Sequence, residues 1–335
     1  MSRQGSKPFG QWVRLEQPRL GTRVVFASDD FFADKARLID PAEPVFIPDK
    51  YDDYGKWMDG WESRRKRTPG HDFCVIRLGI PGRIHGVDID TRYFTGNYPP
   101  RASIDACVSN AELPENGWEP LLPATDLQGN SQHLLAIESN RTWTHLRLNI
   151  FPDGGVARLR VYGEVMPDWS QYGEGDVIDL LAVENGGRAL CCNDEHFGSM
   201  HNLNLSGRGI NMGDGWETAR RRVPGNDWVI LALGHPGTVE RVEVDTAHFK
   251  GNYPDRTSLQ AAYTTTTDLQ ELQNESRAWP VLLAQTKLGM DRQHFFEKEL
   301  GDCGVISHVR LSIFPDGGVS RLRIIGRLAK PGESR

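Results

Sequence analysis

Ile150-Phe151-Pro152-Asp153-Gly154-Gly155-Val156-Ala157-Arg158-Leu159-Arg160-Val161-Tyr162-Gly163 returns as Ile313-Phe314-Pro315-Asp316-Gly317-Gly318-Val319-Ser320-Arg321-Leu322-Arg323-Ile324-Ile325-Gly326, with eleven of the fourteen positions identical. Working outward, Phe94-Thr95-Gly96-Asn97-Tyr98-Pro99-Pro100-Arg101 returns as Phe249-Lys250-Gly251-Asn252-Tyr253-Pro254-Asp255-Arg256. Gly60-Trp61-Glu62 with Arg65 and Arg67 returns as Gly215-Trp216-Glu217 with Arg220 and Arg222. The offset is 155 residues in the middle blocks and 163 in the last. A period this long lies far beyond that of a stacked solenoid, so each copy is expected to be a whole domain.

Composition fits two ordinary domains. The 335 residues carry 25% charged side chains and a net charge of −6, with no basic stripe, which argues against nucleic acid as a partner. The opening residues lack the apolar core of a signal peptide, and no stretch has the length of a membrane span. Five cysteines (Cys74, Cys107, Cys191, Cys192 and Cys303) are odd in number and lack metal-type spacing. Together these features lead to the expectation of a reduced, cytoplasmic protein with no membrane partner; assembly into a homo-oligomer is left open.

Within each copy the hydrophobic period is two. His145-Leu146-Arg147-Leu148-Asn149-Ile150 and His308-Val309-Arg310-Leu311-Ser312-Ile313 alternate as half-buried strands, which places His145 and His308 on the solvent side. The Phe-Pro-Asp-Gly-Gly turn and the strand after it predict a closing hairpin in each copy. Phe73–Leu78 and Trp228–Leu233 are expected to stop at Gly-x-Pro-Gly and resume as separate strands through Val87 and Val242. Short strands with frequent Gly and Pro predict an all-β tandem duplication of an antiparallel sandwich. The order of its motifs resembles the galactose-binding or discoidin-like jelly roll. The expected division is an N-terminal extension (1–20), repeat one (21–165), a linker (166–185), repeat two (186–328) and a C-terminal tail (329–335).

Over essentially the whole chain the constellation resembles the allantoicase family. The match is carried by Ala27-Ser28-Asp29-Asp30-Phe31-Phe32, Asp59-Gly60-Trp61-Glu62-Ser63-Arg64-Arg65, Phe94-Thr95-Gly96-Asn97-Tyr98-Pro99, Val183-Glu184-Asn185-Gly186-Gly187, Asp245-Thr246-Ala247-His248-Phe249-Lys250-Gly251-Asn252 and both Phe-Pro-Asp-Gly-Gly turns. The resemblance implies two jelly-roll repeats and a hydrolase that converts allantoate and water to (S)-ureidoglycolate and urea, a step in using purine nitrogen. A non-catalytic tandem jelly roll binding a small polar or sugar-like ligand is the alternative.

Allantoate bears a carboxylate and two ureido groups on one carbon. Releasing urea requires an activated water and a proton for the leaving nitrogen, so the site calls for an arginine for the carboxylate, acceptors and donors for the ureido groups, and an acid/base pair. Arg101 and Arg256 are candidate carboxylate clamps or, equally, caps of their own loops. Asn97 and Asn252 are candidate substrate-binding residues at positions where a turn alone favours Asn. Glu62 and Glu217 are candidate acid/base residues or ion-pair partners of Arg65 and Arg220. His133 and His294 are the histidine candidates for proton transfer, beside the alternative of a bond to the sheet edge. His248 stands where copy one has Tyr93, which points to copy two as the catalytic repeat. Asp88-Ile89-Asp90 could hold a hard cation from one face of a strand, but copy two reads Glu243-Val244-Asp245, and metal dependence is left open.

Overall fold

The computed structural model describes residues 9–173 and 175–330. It divides the chain into two compact units, Met1–Met166 and Pro167–Arg335. Each unit is built on one antiparallel sheet of eight strands. Among the described residues one α-helix occurs, the seven-residue Leu269–Glu275. The all-β tandem jelly roll expected from the period-two pattern is the observed architecture.

The axis of each unit is a single strand of 19 residues, Asp72–Asp90 in the first and Asp227–Asp245 in the second. The two short strands expected on either side of Gly79-Ile80-Pro81-Gly82 are therefore one. Its first half pairs with Thr142–Phe151, in the register Leu148↔Cys74, and its second half with Arg158–Val165, in the register Leu159↔Ile89. The predicted closing hairpin is thus not formed: the strands before and after the turn lie on different halves of the long strand. The reason is that Gly155–Val156 pairs with Trp61–Glu62, diverting the chain between them. Copy two repeats this with Gly318–Val319 on Trp216–Glu217.

Ile76 and Leu78 from the first half of the long strand and Val87 and Ile89 from the second are all buried. In the second unit Val229, Leu231, Val242 and Val244 share one cluster with Trp216. Trp61 and Trp216 are completely buried, and each indole Nε1 donates to a loop carbonyl at 2.8 Å, Asp29 O and Asp194 O respectively. Trp61→Ala should destabilise the first unit by about 3–5 kcal/mol, measurable as a lowered midpoint in urea. A midpoint equal to wild type would show that this anchor contributes nothing.

The domain edges lie outside the expected ones. Val13–Arg14 pairs with Arg158–Val165, so part of the predicted N-terminal extension belongs to the first sheet. Val177–Asp179, inside the predicted linker, pairs with Arg321–Leu328. Two- and three-residue edge strands carry too little period to be read from sequence. Residues 1–8 of the extension and 331–335 of the tail lie outside the described residues. His145 is buried rather than solvent-facing, because both edges of its strand are paired and the sheet face is covered. His308 is half-buried, and burial, with Arg188 nearby, pushes its pKa down to about 4.

Candidate active site

The repeated turn is what brings the candidate residues together. Gly154 has φ +139°, and a Cβ there would press on the backbone of Asn97–Pro99. A Cβ on Gly155 would overlap the ring of Phe94, which is completely buried. Both glycines are therefore required by packing. With the backbones this close, Gly155 N donates to Asn97 O at 2.7 Å while Gly155 pairs across to Glu62. The Gly-Asn-Tyr-Pro loop and the Trp-Glu strand thus converge on one glycine. The side chains meet as a result: Asn97 Nδ2 donates to Glu62 Oε1 at 2.6 Å.

Glu62 makes no ion pair with Arg65, contrary to one of its two expected readings; among the described residues its side-chain partner is Asn97. Burial pushes the Glu62 carboxyl above the ordinary glutamate value, and the Asn97 hydrogen bond pulls against that. Oε2 has no hydrogen-bond partner among the described residues. This carboxylate lies at the wall of a cavity of about 510 Å³. Phe32, Phe46, Met58 and the ring of Tyr54 give the cavity apolar surface, Tyr93, Thr95, Asn97 and Asn130 line it with neutral polar groups, and Lys56 is its cation. Such a mixture, apolar walls with a few polar groups, is that of a small-molecule site.

Part of this wall is particular to the first copy. Gly60 follows Asp29 by 31 residues, whereas Gly215 follows Asp194 by 21, so the first loop is ten residues longer. The extra length includes the small hairpin of Tyr51–Asp52 and Gly55–Lys56. The loop is held from below by Arg158, which is 1% exposed and bonds Asp59 Oδ2 at 2.8 Å and Ala42 O at 3.0 Å. Asp59 Oδ2 also accepts from Val45 N at 2.9 Å.

In the second copy the dyad recurs, with Asn252 Nδ2 donating to Glu217 Oε1, but Met212 Sδ sits 3.9 Å from the same amide. His248 turns its Nε2 to Gly209 O at 2.8 Å, and its backbone N donates to Asp291 Oδ1 at 2.7 Å. Tyr93 N donates in the same way to Asn130 Oδ1 at 2.9 Å, and both Tyr93 and His248 have φ +70°. A left-handed residue at this point therefore belongs to the fold of both copies.

The structure separates the other candidates from the dyad. His133 Nε2 accepts from Gln128 N at 2.9 Å and its Nδ1 contacts Ile89 O at 2.7 Å; His294 repeats this with Gly289 N and Val244 O at 2.7 and 3.0 Å. Both ring nitrogens are thus used by backbone, the arrangement of a neutral ring that pins a loop to a strand, and burial pushes His294 down. These two histidines have no nitrogen left for a substrate proton. Arg101 is exposed and lies outside the cavity lining; Arg256 is exposed and reaches its own neighbour Asp255 at 3.3 Å. Asp153 and Asp316 each tie their turn to a distant segment, accepting from Lys66 N and Arg221 N at 2.7 and 2.8 Å.

The Asp88–Asp90 pair is occupied internally. Asp88 accepts from Gln132 Nε2 and His133 N at 2.8 and 3.0 Å, Asp90 pairs with Arg92 at 2.6 Å, and burial, then Asp90, push Asp88 up. Among the described residues no cluster of three or more His, Cys, Asp or Glu is placed to hold a metal ion. Nor is any described helix long and apolar enough to cross a membrane. Lys56, Phe46, Tyr54 and Asn130 were not singled out by sequence reasoning. The signal that could have found Lys56, Phe46 and Tyr54 is the ten-residue excess of copy one.

A duplicated jelly roll with a partly exposed carboxylate–amide dyad in each copy, one of them at a cavity of apolar walls and a few polar groups, defines the class of molecule. Residues 13–166 and 178–329 both match the family model described as allantoicase repeat. A probable allantoicase 2 of Burkholderia pseudomallei is 58% identical over 95% of this chain and 96% of its own length, and a probable allantoicase of Pseudomonas fluorescens 55% over 96% and 98%. A crystal structure of allantoicase from Saccharomyces cerevisiae superimposes with a TM-score of 0.80 at 36% identity, covering 94% of this chain and 92% of that one. The chain belongs to the allantoicase family.

Proposed function

We propose that this protein hydrolyses allantoate to ureidoglycolate and urea, and that the reaction takes place in the cavity of the first repeat with Glu62 as its acid/base residue. The observation that carries the site is a half-buried carboxylate, raised by desolvation, with one oxygen oriented by Asn97 and the other free at the wall of a cavity that mixes apolar and polar groups. The second repeat, favoured from sequence because of His248, has a ten-residue-shorter loop and Met212 against its amide, so His248, Glu217 and Asn252 are assigned to the framework of that copy. His133 and His294 are assigned to loop positioning, and Arg101 and Arg256 to the surface of their loops.

In this reading Asn97, Thr95 and Asn130 match the donors and acceptors of the ureido groups, while the aromatic walls exclude bulk water. Ionised Glu62 takes a proton from the attacking water as its oxygen bonds to the central carbon. The remaining ureido nitrogen supports that carbon with its lone pair as the other carbon–nitrogen bond breaks. Glu62 then passes the proton to the departing urea nitrogen, so that water is divided between the two products. A cytoplasmic location is in keeping with five free cysteines, of which Cys74 and Cys107 are buried.

The experiment is direct: purified protein incubated with allantoate releases urea and ureidoglycolate in equal amounts. Binding of allantoate without urea release would favour the non-catalytic jelly-roll reading instead.

A further inference from the structure

Within the proposed reading the cavity needs a cation for the substrate carboxylate, and neither arginine expected to supply it lines the cavity. We infer that Lys56 is the carboxylate anchor and that it sets the selectivity of the first-repeat cavity for a ureido compound bearing an acid group. This inference rests on the site assignment above.

Lys56 ends the Tyr51–Asp52 and Gly55–Lys56 hairpin, with Tyr51 paired across to it. Its ammonium lies 4.6 Å from the centre of the Phe46 ring, another residue of the cavity wall. That contact orients the charge without neutralising it. Among the described residues Lys56 has no carboxylate partner, whereas many of the basic groups around the first repeat are committed: Lys35 to Asp30, Lys66 to Asp72, Arg92 to Asp90 and Arg158 to Asp59. An uncommitted ammonium and a half-buried glutamate lining one cavity suit a substrate with an acid at one end and a neutral, reacting ureido group at the other. The ammonium attracts the carboxylate that the nearby Glu62 would otherwise repel. Because the hairpin exists only in the longer loop of copy one, the anchor also explains why one repeat can bind the acid while its sister keeps the same dyad without it.

The test uses the full-length enzyme and two ligands, allantoate and methylenediurea, which has the two ureido groups on one carbon and no carboxylate. Lys56→Gln should raise KM for allantoate roughly 10- to 100-fold, as expected for loss of a charge-assisted bond, while the inhibition constant of methylenediurea stays within about threefold. Lys56→Arg, which keeps the charge, should recover most of the KM. An unchanged KM for allantoate in Lys56→Gln, or an equal loss of affinity for both ligands, would overturn the anchor. Glu62→Gln separates the two levels: if it still turns over allantoate at the wild-type rate the site assignment fails, and if it is inactive while Lys56→Gln keeps its KM only the anchor fails.

Discussion

Glu62→Gln should lower kcat for allantoate by roughly 10²- to 10⁴-fold, the span that one acid/base residue contributes, and should do so in a protein that folds and binds normally. Glutamine keeps the shape and can still accept from Asn97 Nδ2, but it cannot take a proton from water. The stability of the same variant provides an independent check. The folded-state pKa of Glu62 is raised by burial, so the folded protein holds this proton to higher pH than the unfolded chain does. Stability from this group is therefore present below the unfolded pKa and is lost as pH rises through the folded value. Above the folded pKa the wild type carries that penalty and Glu62→Gln does not, so the inactive variant should gain in melting temperature over wild type as pH rises through the folded pKa and show no such gain at pH 4. An inactive variant that also melts lower would mark Glu62 as a structural group. Glu217→Gln, in the copy without the hairpin, should retain most of the activity.

Arg158→Ala should cost about 3–5 kcal/mol, the range for removing one partner of a buried ion pair. Arg158 donates to Asp59 Oδ2 at 2.8 Å, Ala42 O at 3.0 Å and Asp59 O at 3.1 Å, and alanine leaves these acceptors facing an emptied space. For a domain of this size the midpoint should fall on the order of 10 °C, read by calorimetry. The equivalent pair in the second repeat, Arg321 with Asp214 at 2.9 Å, should give a comparable loss when Arg321→Ala is made. The two variants should differ in kinetics. Arg158 holds the loop that carries Phe46, Tyr54 and Lys56, so its loss should raise KM for allantoate several-fold at a temperature where the protein is still folded, whereas Arg321→Ala should leave KM unchanged. Equal kinetic effects from both would contradict the placement of the site in the first repeat.

The Phe-Pro-Asp-Gly-Gly turn shows how far the chain could be read directly. Its repetition established the duplication, and its residue types established a sharp change of direction. Its partner could not be read, because a turn between two alternating strands has the same sequence whether they pair with each other or with a third strand. Here the third strand is Asp72–Asp90, whose central Gly79-Ile80-Pro81-Gly82 looks like an end and is a passage from one half of the ladder to the other. The histidines show the same limit. His133 and His294 carry the right chemistry, but whether an imidazole nitrogen is free depends on which backbone groups lie beside it, and Gln128 N and Ile89 O reach His133 only in the folded sheet.

What the sequence determined by itself is whatever repeats or alternates: two domains, strands rather than helices, the paired tryptophans, and a Glu and an Asn repeated between the copies. Local chemistry decides these, since period two and turn residues act over a few positions. Tertiary structure alone decided which groups share a cavity. Glu62 and Asn97 are 35 residues apart and meet because Gly155 packs against both segments, and Lys56 joins them from a loop that the second copy lacks. Proximity of that kind is set by long-range pairing and packing, and the partial burial that raises Glu62 exists only once the surrounding segments have folded.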